Sequence, residues 1–191
     1  MPHFSKYSNL FLYLFSCSIL IYACDSESSA SFQADSEMQT VVVEPGHEGF
    51  IFRPNSTGVE TDVPYREGSY EIALDEEMLQ YSIMQDTADL DKDFHFENGT
   101  SFNIKARVFY HVSKGRASVV HLKFGRNFEI AINDWLEDSC KDQLSKFDLT
   151  VINLNTIGRL EPKIAEHLRD IASIEGFSIE YVEIENLESL F

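Results

Sequence analysis

The densest run of ligand-type side chains in this 191-residue chain is Asp89, Asp91 and Asp93, a D-x-D-x-D series followed by Glu97. Carboxylates at this spacing are the raw material of a calcium loop. An EF-hand loop also needs glycine at its sixth position and a bidentate glutamate at its twelfth. Counted from Asp89, those positions hold Phe94 and Thr100. The three aspartates therefore stand only as weak calcium candidates, and the solvated face of a strand explains the same alternation more simply. Glu183, Glu185 and Glu188 form a second acidic set, of a kind that paired-carboxylate hydrolases use. No cleft can be inferred around them, and they too read as a solvated face. Of the six histidines, His47 reads as a turn residue, and His95 and His111 fall on the polar side of a strand pair. None stands at metal-ligand spacing from another donor. The sequence contains no G-x-S-x-G elbow, phosphate loop, C-x-x-C or H-E-x-x-H. No catalytic residue, resident metal or cofactor is expected.

Cysteine is the other reactive type. Residues 1–24 read MPHFSKYSNLFLYLFSCSILIYAC, with a weakly basic start at Lys6 and a 14-residue run from Leu10 to Ala23 that is apolar apart from Ser16 and Ser18. As a helix this run spans about 21 Å, short for a bilayer crossing and suited to the apolar core of a secretory signal. Its end, Ile21-Tyr22-Ala23-Cys24, resembles a bacterial lipobox, which implies cleavage before Cys24 and a diacylglyceryl group on its thiol. The alternatives are ordinary signal cleavage beside a chance cysteine, or an uncleaved anchor. Several acyl chains on one residue anchor stably, since each buried CH₂ contributes ~0.8 kcal/mol. Cys17 leaves with the leader, so Cys140 is a lone thiol without an intrachain disulfide partner. It reads as a small buried apolar residue.

The expected organisation is a signal peptide over 1–23, a lipidated Cys24 leading an acidic, Ser-rich tether over 24–39, and one domain over 40–191. The tether, DSESSASFQADSEMQ after Cys24, is poor in apolar residues and has the composition of a disordered linker reaching roughly 20 Å. The formal net charge is −17, and removing the leader leaves 14 basic and 32 acidic side chains, a net of −18. Such a surface repels nucleic-acid phosphates and anionic lipid headgroups.

Within the domain, Thr40–Glu44 and Gly49–Arg53 read as strands around a Pro45-Gly46 turn. After Gly99, even positions from Thr100 to Val112 are almost all apolar and odd positions mostly polar, the pattern of a half-buried strand. Ala88, Leu90, Phe94 and Phe96 continue it on the preceding strand. A three-residue loop, Glu97-Asn98-Gly99, sets Phe96 opposite Thr100, Phe94 opposite Phe102, Asp91 opposite Lys105 and Asp89 opposite Arg107. A two-residue loop would turn one strand inside out, so the longer loop is expected. Gly115–Phe124 is either a helix or a strand. Phe128–Phe147 is an amphipathic helix with Phe128, Ile132, Trp135, Leu136, Cys140, Leu144 and Phe147 on one face. Leu149–Leu154 reads as extended. A second main helix runs from about Leu160 to Glu175, with Pro162 in its first turn and Leu160, Ile164, Leu168 and Ile171 as its buried stripe. Gly176 caps it, and a strand, GFSIEYVEIENL, follows, with Phe177, Ile179 and Tyr181 on one face. Strands, then helices, then one strand make the class α+β.

Several of these stretches resemble the SPFH family (stomatin, prohibitin, flotillin; band 7). The closing strand matches the form G-I-x-V-x-x-V-x-I-x-x-V/L through Gly176, Ile179, Val182, Ile184 and Leu187. VEPGHEGFIF, with Gly46 and Gly49, is similar to the family's opening turn. Arg66-Glu67-Gly68-Ser69-Tyr70, the hairpin NGTSFNIKARVFYHV and the break Gly125-Arg126-Asn127-Phe128 resemble later pieces in the family's order. The resemblance implies an SPFH fold with a helix over 115–124 and a non-enzymatic, membrane-associated scaffold that self-assembles or modulates a membrane protease. It also implies a coiled coil after the closing strand, where this chain ends at Phe191. The expected partners are therefore the membrane, through the lipid anchor on the periplasmic side or cell surface of a bacterial envelope, and either a homo-oligomer, another SPFH-type protein or a membrane-protease complex. The rival expectation is a surface or periplasmic lipoprotein that binds a glycan or peptide with Phe109, Tyr110 and the loop Asn55–Arg66.

Overall fold

The computed structural model describes residues 37–54, 58–59, 63–146 and 154–190. Cys24 and its flanks, Phe147 and the 149–153 stretch lie outside them. The elements run β1 (Met38–Val43), β2 (His47–Arg53), β3 (Gly58–Val59), β4 (Gly68–Ala73), β5 (Glu77–Ser82), β6 (Asp86–His95), β7 (Ser101–Val112), α1 (Ala117–Phe124), α2 (Phe128–Lys146), α3 (Leu154–Glu175) and β8 (Phe177–Ser189). The α+β class and the order of strands, helices and closing strand are as the sequence implies. Three small antiparallel sheets result, with orders β1-β4, β3-β2-β5 and β6-β7-β8.

The Pro45-Gly46 turn is present, with Gly46 at φ 75. It does not close a hairpin, because β1 pairs with β4 while β2 pairs with β3 and β5. β1 begins at Met38 and β2 at His47, so His47 opens a strand where a turn was expected. Gly49 sits where a side chain would collide, since a Cβ there would lie 2.6 Å from Met78 Sδ and 2.9 Å from Val43 Cγ2.

The sheet β6-β7-β8 carries the core. Its inner face holds Ala88, Leu90, Phe94, Phe102, Ile104, Ala106, Val108 and Tyr110, all buried. Against it pack Ile132, Leu136, Cys140 and Leu144 of α2 and Leu160, Ile164 and Leu168 of α3, as their spacing predicts. The α3 stripe continues through Ala165 and Ala172, while Ile171 is only half-buried. α3 also starts at Leu154, earlier than its sequence suggests. Leu154 is therefore helical and not extended, and Pro162 lies in the helix interior. Proline removes the bond to the carbonyl four residues back. That carbonyl belongs to Gly158, which is exposed, so solvent can take the place of the lost donor.

The segment 115–124, open between helix and strand, forms α1. Its N-terminus is held by Glu48 of β2, only 5% exposed, whose carboxylate accepts the N–H groups of Gly115 at 2.6 Å and Ala117 at 3.1 Å. A carboxylate at this end of a helix satisfies free amides and complements the dipole. On the far side of α1, Tyr81 donates to Gly125 O at 2.9 Å and sits 2.8 Å from His121 Nδ1. A tyrosine hydroxyl has one proton, so His121 carries its own on Nδ1. Burial, then Arg126, holds the His121 pKa below its ordinary value.

Candidate interaction surface

The sheet's outer face collects the residues that drew attention by their chemistry. The hairpin β6–β7 has the expected register: Phe94 opposite Phe102, Asp91 opposite Lys105 and Asp89 opposite Arg107. Phe96 N–H donates to Thr100 O and Gly99 N–H to Phe96 O, with Gly99 at φ 81, which closes the three-residue loop. A residue with a Cβ would be strained there.

Each member of the D-x-D-x-D series has a cross-strand partner. Arg107 Nε donates to Asp89 at 2.6 Å, Lys105 Nζ lies 3.0 Å from Asp91, and Asn103 Nδ2 donates to Asp93 at 2.8 Å and to Asp91 at 3.2 Å. The Lys105 bond, with Asn103 behind it, holds the Asp91 carboxyl below the usual range. Among the described residues no group of three His, Cys, Asp or Glu side chains is gathered to hold a metal ion. The aspartates line a strand face and do not curl into a loop.

β8 completes this sheet, and its spacing hides two β-bulges. The register shifts between Phe109 and Tyr110 of β7 and again between Lys105 and Ala106, so Glu180 and Glu185 are the extra residues. Each bulge reverses the alternation. Phe177, Ile179, Val182, Ile184 and Leu187 therefore all face the core, each at most 5% exposed. Tyr181 does not join Phe177 and Ile179. It lies on the outer face, 47% exposed, stacked on Phe109 with ring centroids 4.1 Å apart. Tyr110, expected among exposed aromatics, is 1% exposed inside the core, where burial raises its pKa. Among the described residues its hydroxyl has no hydrogen-bond partner.

The outer face then carries Asp89, Asp91, Asp93, Glu180, Glu183, Glu185 and Glu188 against the cations Lys105 and Arg107. Arg107 is shared between Asp89 and Glu185, and His111 Nδ1 is 3.4 Å from Glu180. His95 bonds Ser101 Oγ at 2.7 Å.

The two edges of the sheet differ. On β8, Arg169 of α3 donates to Ile179 O at 2.9 Å and also to Glu180 O, and Glu161 of α3 accepts from Ile184 N–H at 2.9 Å. The helix thus takes up outward-pointing backbone groups of the closing strand. Neither Arg169 nor Glu161 stands out in the sequence, since both lie on the polar side of an amphipathic helix. On β6 the Phe96–Thr100 bond fixes the ladder, so even-numbered residues bond β7. Odd-numbered Thr87, Asp89, Asp91, Asp93 and His95 turn their backbone groups outward. Gly176, at φ 96, makes the turn from α3 into β8, and its carbonyl accepts from Ser113 N–H. A Cβ on it would come within 3.1 Å of Val120 and 3.2 Å of Arg116.

Cys140 is fully buried, and burial pushes its thiol up to about 12. It is an inert core residue. Among the described residues no helix is long and apolar enough to cross a membrane.

Among the described residues, a sheet with a helical layer on one face, a charged opposite face and one uncovered edge makes an α+β domain. The chain matches the SPFH domain / Band 7 family over residues 41–189, from β1 to the end of β8, and belongs to that family. Members of this family are in general non-enzymatic scaffold or membrane-associated modules that commonly oligomerise. No curated protein matches the chain.

Proposed function

We propose that this protein is a lipid-anchored SPFH module that acts as a non-enzymatic scaffold on the periplasmic side or surface of a bacterial envelope. In this reading it assembles with copies of itself, with another SPFH-type protein, or with a membrane-protease complex. The observation that carries the proposal is the family domain beginning at residue 41, shortly after Cys24 and the apolar run Leu10–Ala23 that precedes it. β1 takes Met38 and Gln39 out of the expected tether, and the about 13 residues left between Cys24 and β1 would reach roughly 20 Å as a linker, close enough for the domain to meet membrane neighbours. A second reading, a binding lipoprotein for a glycan or peptide, draws on the exposed Tyr181 stacked on the half-buried Phe109.

Replacement of Cys24 by alanine, followed by membrane fractionation, tests the anchor. The expected result is release of the protein from the membrane fraction, and unchanged membrane association contradicts it. Crosslinking in native membranes followed by sizing tests the scaffold. The expected product is an oligomer or a defined co-purifying complex, and a strict monomer without partners overturns this part.

A further inference from the structure

The unsealed edge of β6 has a length, polarity and charge that select one kind of occupant. We propose that it docks an extended, lysine- or arginine-bearing segment of a partner protein, which adds to β6-β7-β8 as a fourth strand. This rests on the reading of the chain as an interaction module and names the contact that module would use.

β6 is ten residues long, longer than the usual strand, and it pairs with β7 without a bulge. Among the described residues, no hydrogen bond takes up the backbone N–H of Asp89, Asp91 or Asp93, while Thr87 N–H is bonded to Asp86 Oδ1. Natural sheets shield such an edge by bulges, proline, a covering element or charge. β8 has two bulges and a covering helix. Among the described residues β6 has charge alone.

That charge discriminates between occupants. The residues whose backbone faces outward are the ones whose side chains form the acidic row on the outer face. An added strand would bring its own side chains to about 5 Å from Asp89, Asp91 and Asp93. A second copy of β6 is a poor occupant. Antiparallel pairing centred on Asp91 sets Asp91 against Asp91 and Asp89 against Asp93, and like charges directly opposite are destabilising. An anionic membrane surface is repelled by the same row. A strand with basic residues at alternate positions meets each carboxylate with a cation, on a face where, among the described residues, seven carboxylates stand against Lys105 and Arg107. The charge that blocks self-addition thus favours a basic strand, and the mode is β-augmentation, with main-chain bonds supplying affinity and alternate side chains specificity.

The test uses the full-length protein in detergent and a blocked peptide alternating lysine and valine, matched in length to β6. Two further peptides serve as controls. One has glutamate in place of lysine. The other keeps lysine but carries N-methyl groups on alternate amides, which preserves charge and removes the donors along one edge. Binding is read by calorimetry and by amide hydrogen exchange. The expected result is that the lysine peptide binds and slows exchange at Asp89, Asp91 and Asp93 by about tenfold or more, while neither control does. Asp91→Pro, which removes one outward N–H, is expected to lose the peptide. Equal binding of the N-methylated peptide would reduce the effect to charge attraction and overturn the proposal. So would protection by the glutamate peptide, no binding of the lysine peptide, or wild-type self-association that Asp91→Pro abolishes. If wild type and Asp91→Pro crosslink the same native partners, the edge proposal fails while the scaffold reading stands. If wild type captures none, the scaffold reading fails.

Discussion

The first and last strands of the sheet β6-β7-β8 present the same backbone chemistry to their surroundings and are treated oppositely. β8 is bent twice, buries five large apolar side chains, and has outward carbonyl and amide groups bonded to Arg169 and Glu161 of α3. β6 is regular, buries Ala88, Leu90 and Phe94, and meets solvent along its free edge with aspartates. One edge is sealed by the fold. The other, among the described residues, is guarded only by charge, and charge excludes some partners while admitting others.

The contrast can be broken most severely from the β8 side. Ile184→Ala removes a core side chain whose backbone N–H is also tied to Glu161, and it should cost about 2–5 kcal/mol in urea or thermal unfolding. Thr87→Ala, an exposed position on the β6 edge, should stay within about 0.5 kcal/mol of wild type. Similar losses at the two positions would erase the distinction between the edges.

A milder perturbation unseals β8 without touching its core. Arg169→Ala leaves the Ile179 and Glu180 carbonyls without their donor and should lower stability by about 1 kcal/mol, below the about 1.5–3 kcal/mol of charged hydrogen bonds because Arg169 is exposed. Arg169→Lys should recover only part of this, since a single ammonium lacks the forked geometry that reaches both oxygens. Full recovery in the Arg169→Lys variant, measured by denaturant midpoint, would show that charge near β8 matters more than the bonds.

The smallest effect is expected on the outer face. Asp91 has its carboxyl pKa depressed below the ordinary 3.8, chiefly by Lys105 and then by Asn103. A depressed carboxyl stabilises the fold above its unfolded pKa and loses that contribution as pH falls through the lower folded value. Acid titration of the denaturant midpoint should therefore show a component below pH 3.8 that Asp91→Asn lacks. Both side chains of the pair are exposed, so above that pH the pair serves mainly to hold register. A steeper loss in wild type at neutral pH would contradict this assignment.

Much of this arrangement was legible from residue order. The strict alternation from Thr100 to Val112, with Asp–Lys and Asp–Arg pairs in one register only, defined the β6–β7 hairpin and its three-residue loop. The helical faces of α2 and α3 followed from their periodicity. Alternation extended through Glu180 misplaces Tyr181, although the three-residue steps Ile179-x-x-Val182 and Ile184-x-x-Leu187 are themselves the mark of a bulge after each isoleucine. The local cost of proline places Pro162 in the first turn of a helix from about Leu160, yet α3 runs through it where Gly158 is open to water. The sealing of β8 was not legible. It depends on two polar helical residues meeting backbone groups across a tertiary contact, and only β8's position beside α3 brings them together. The openness of β6 was likewise hidden, because an acidic alternation looks the same on a central strand and on an edge.

Amide hydrogen exchange on the free, full-length protein tests the central contrast most directly. The account predicts that Asp89, Asp91 and Asp93 amides exchange rapidly while the Ile184 amide, held by Glu161, exchanges slowly with the core. Slow exchange at Asp89, Asp91 and Asp93, matching that of Ile184, would contradict it.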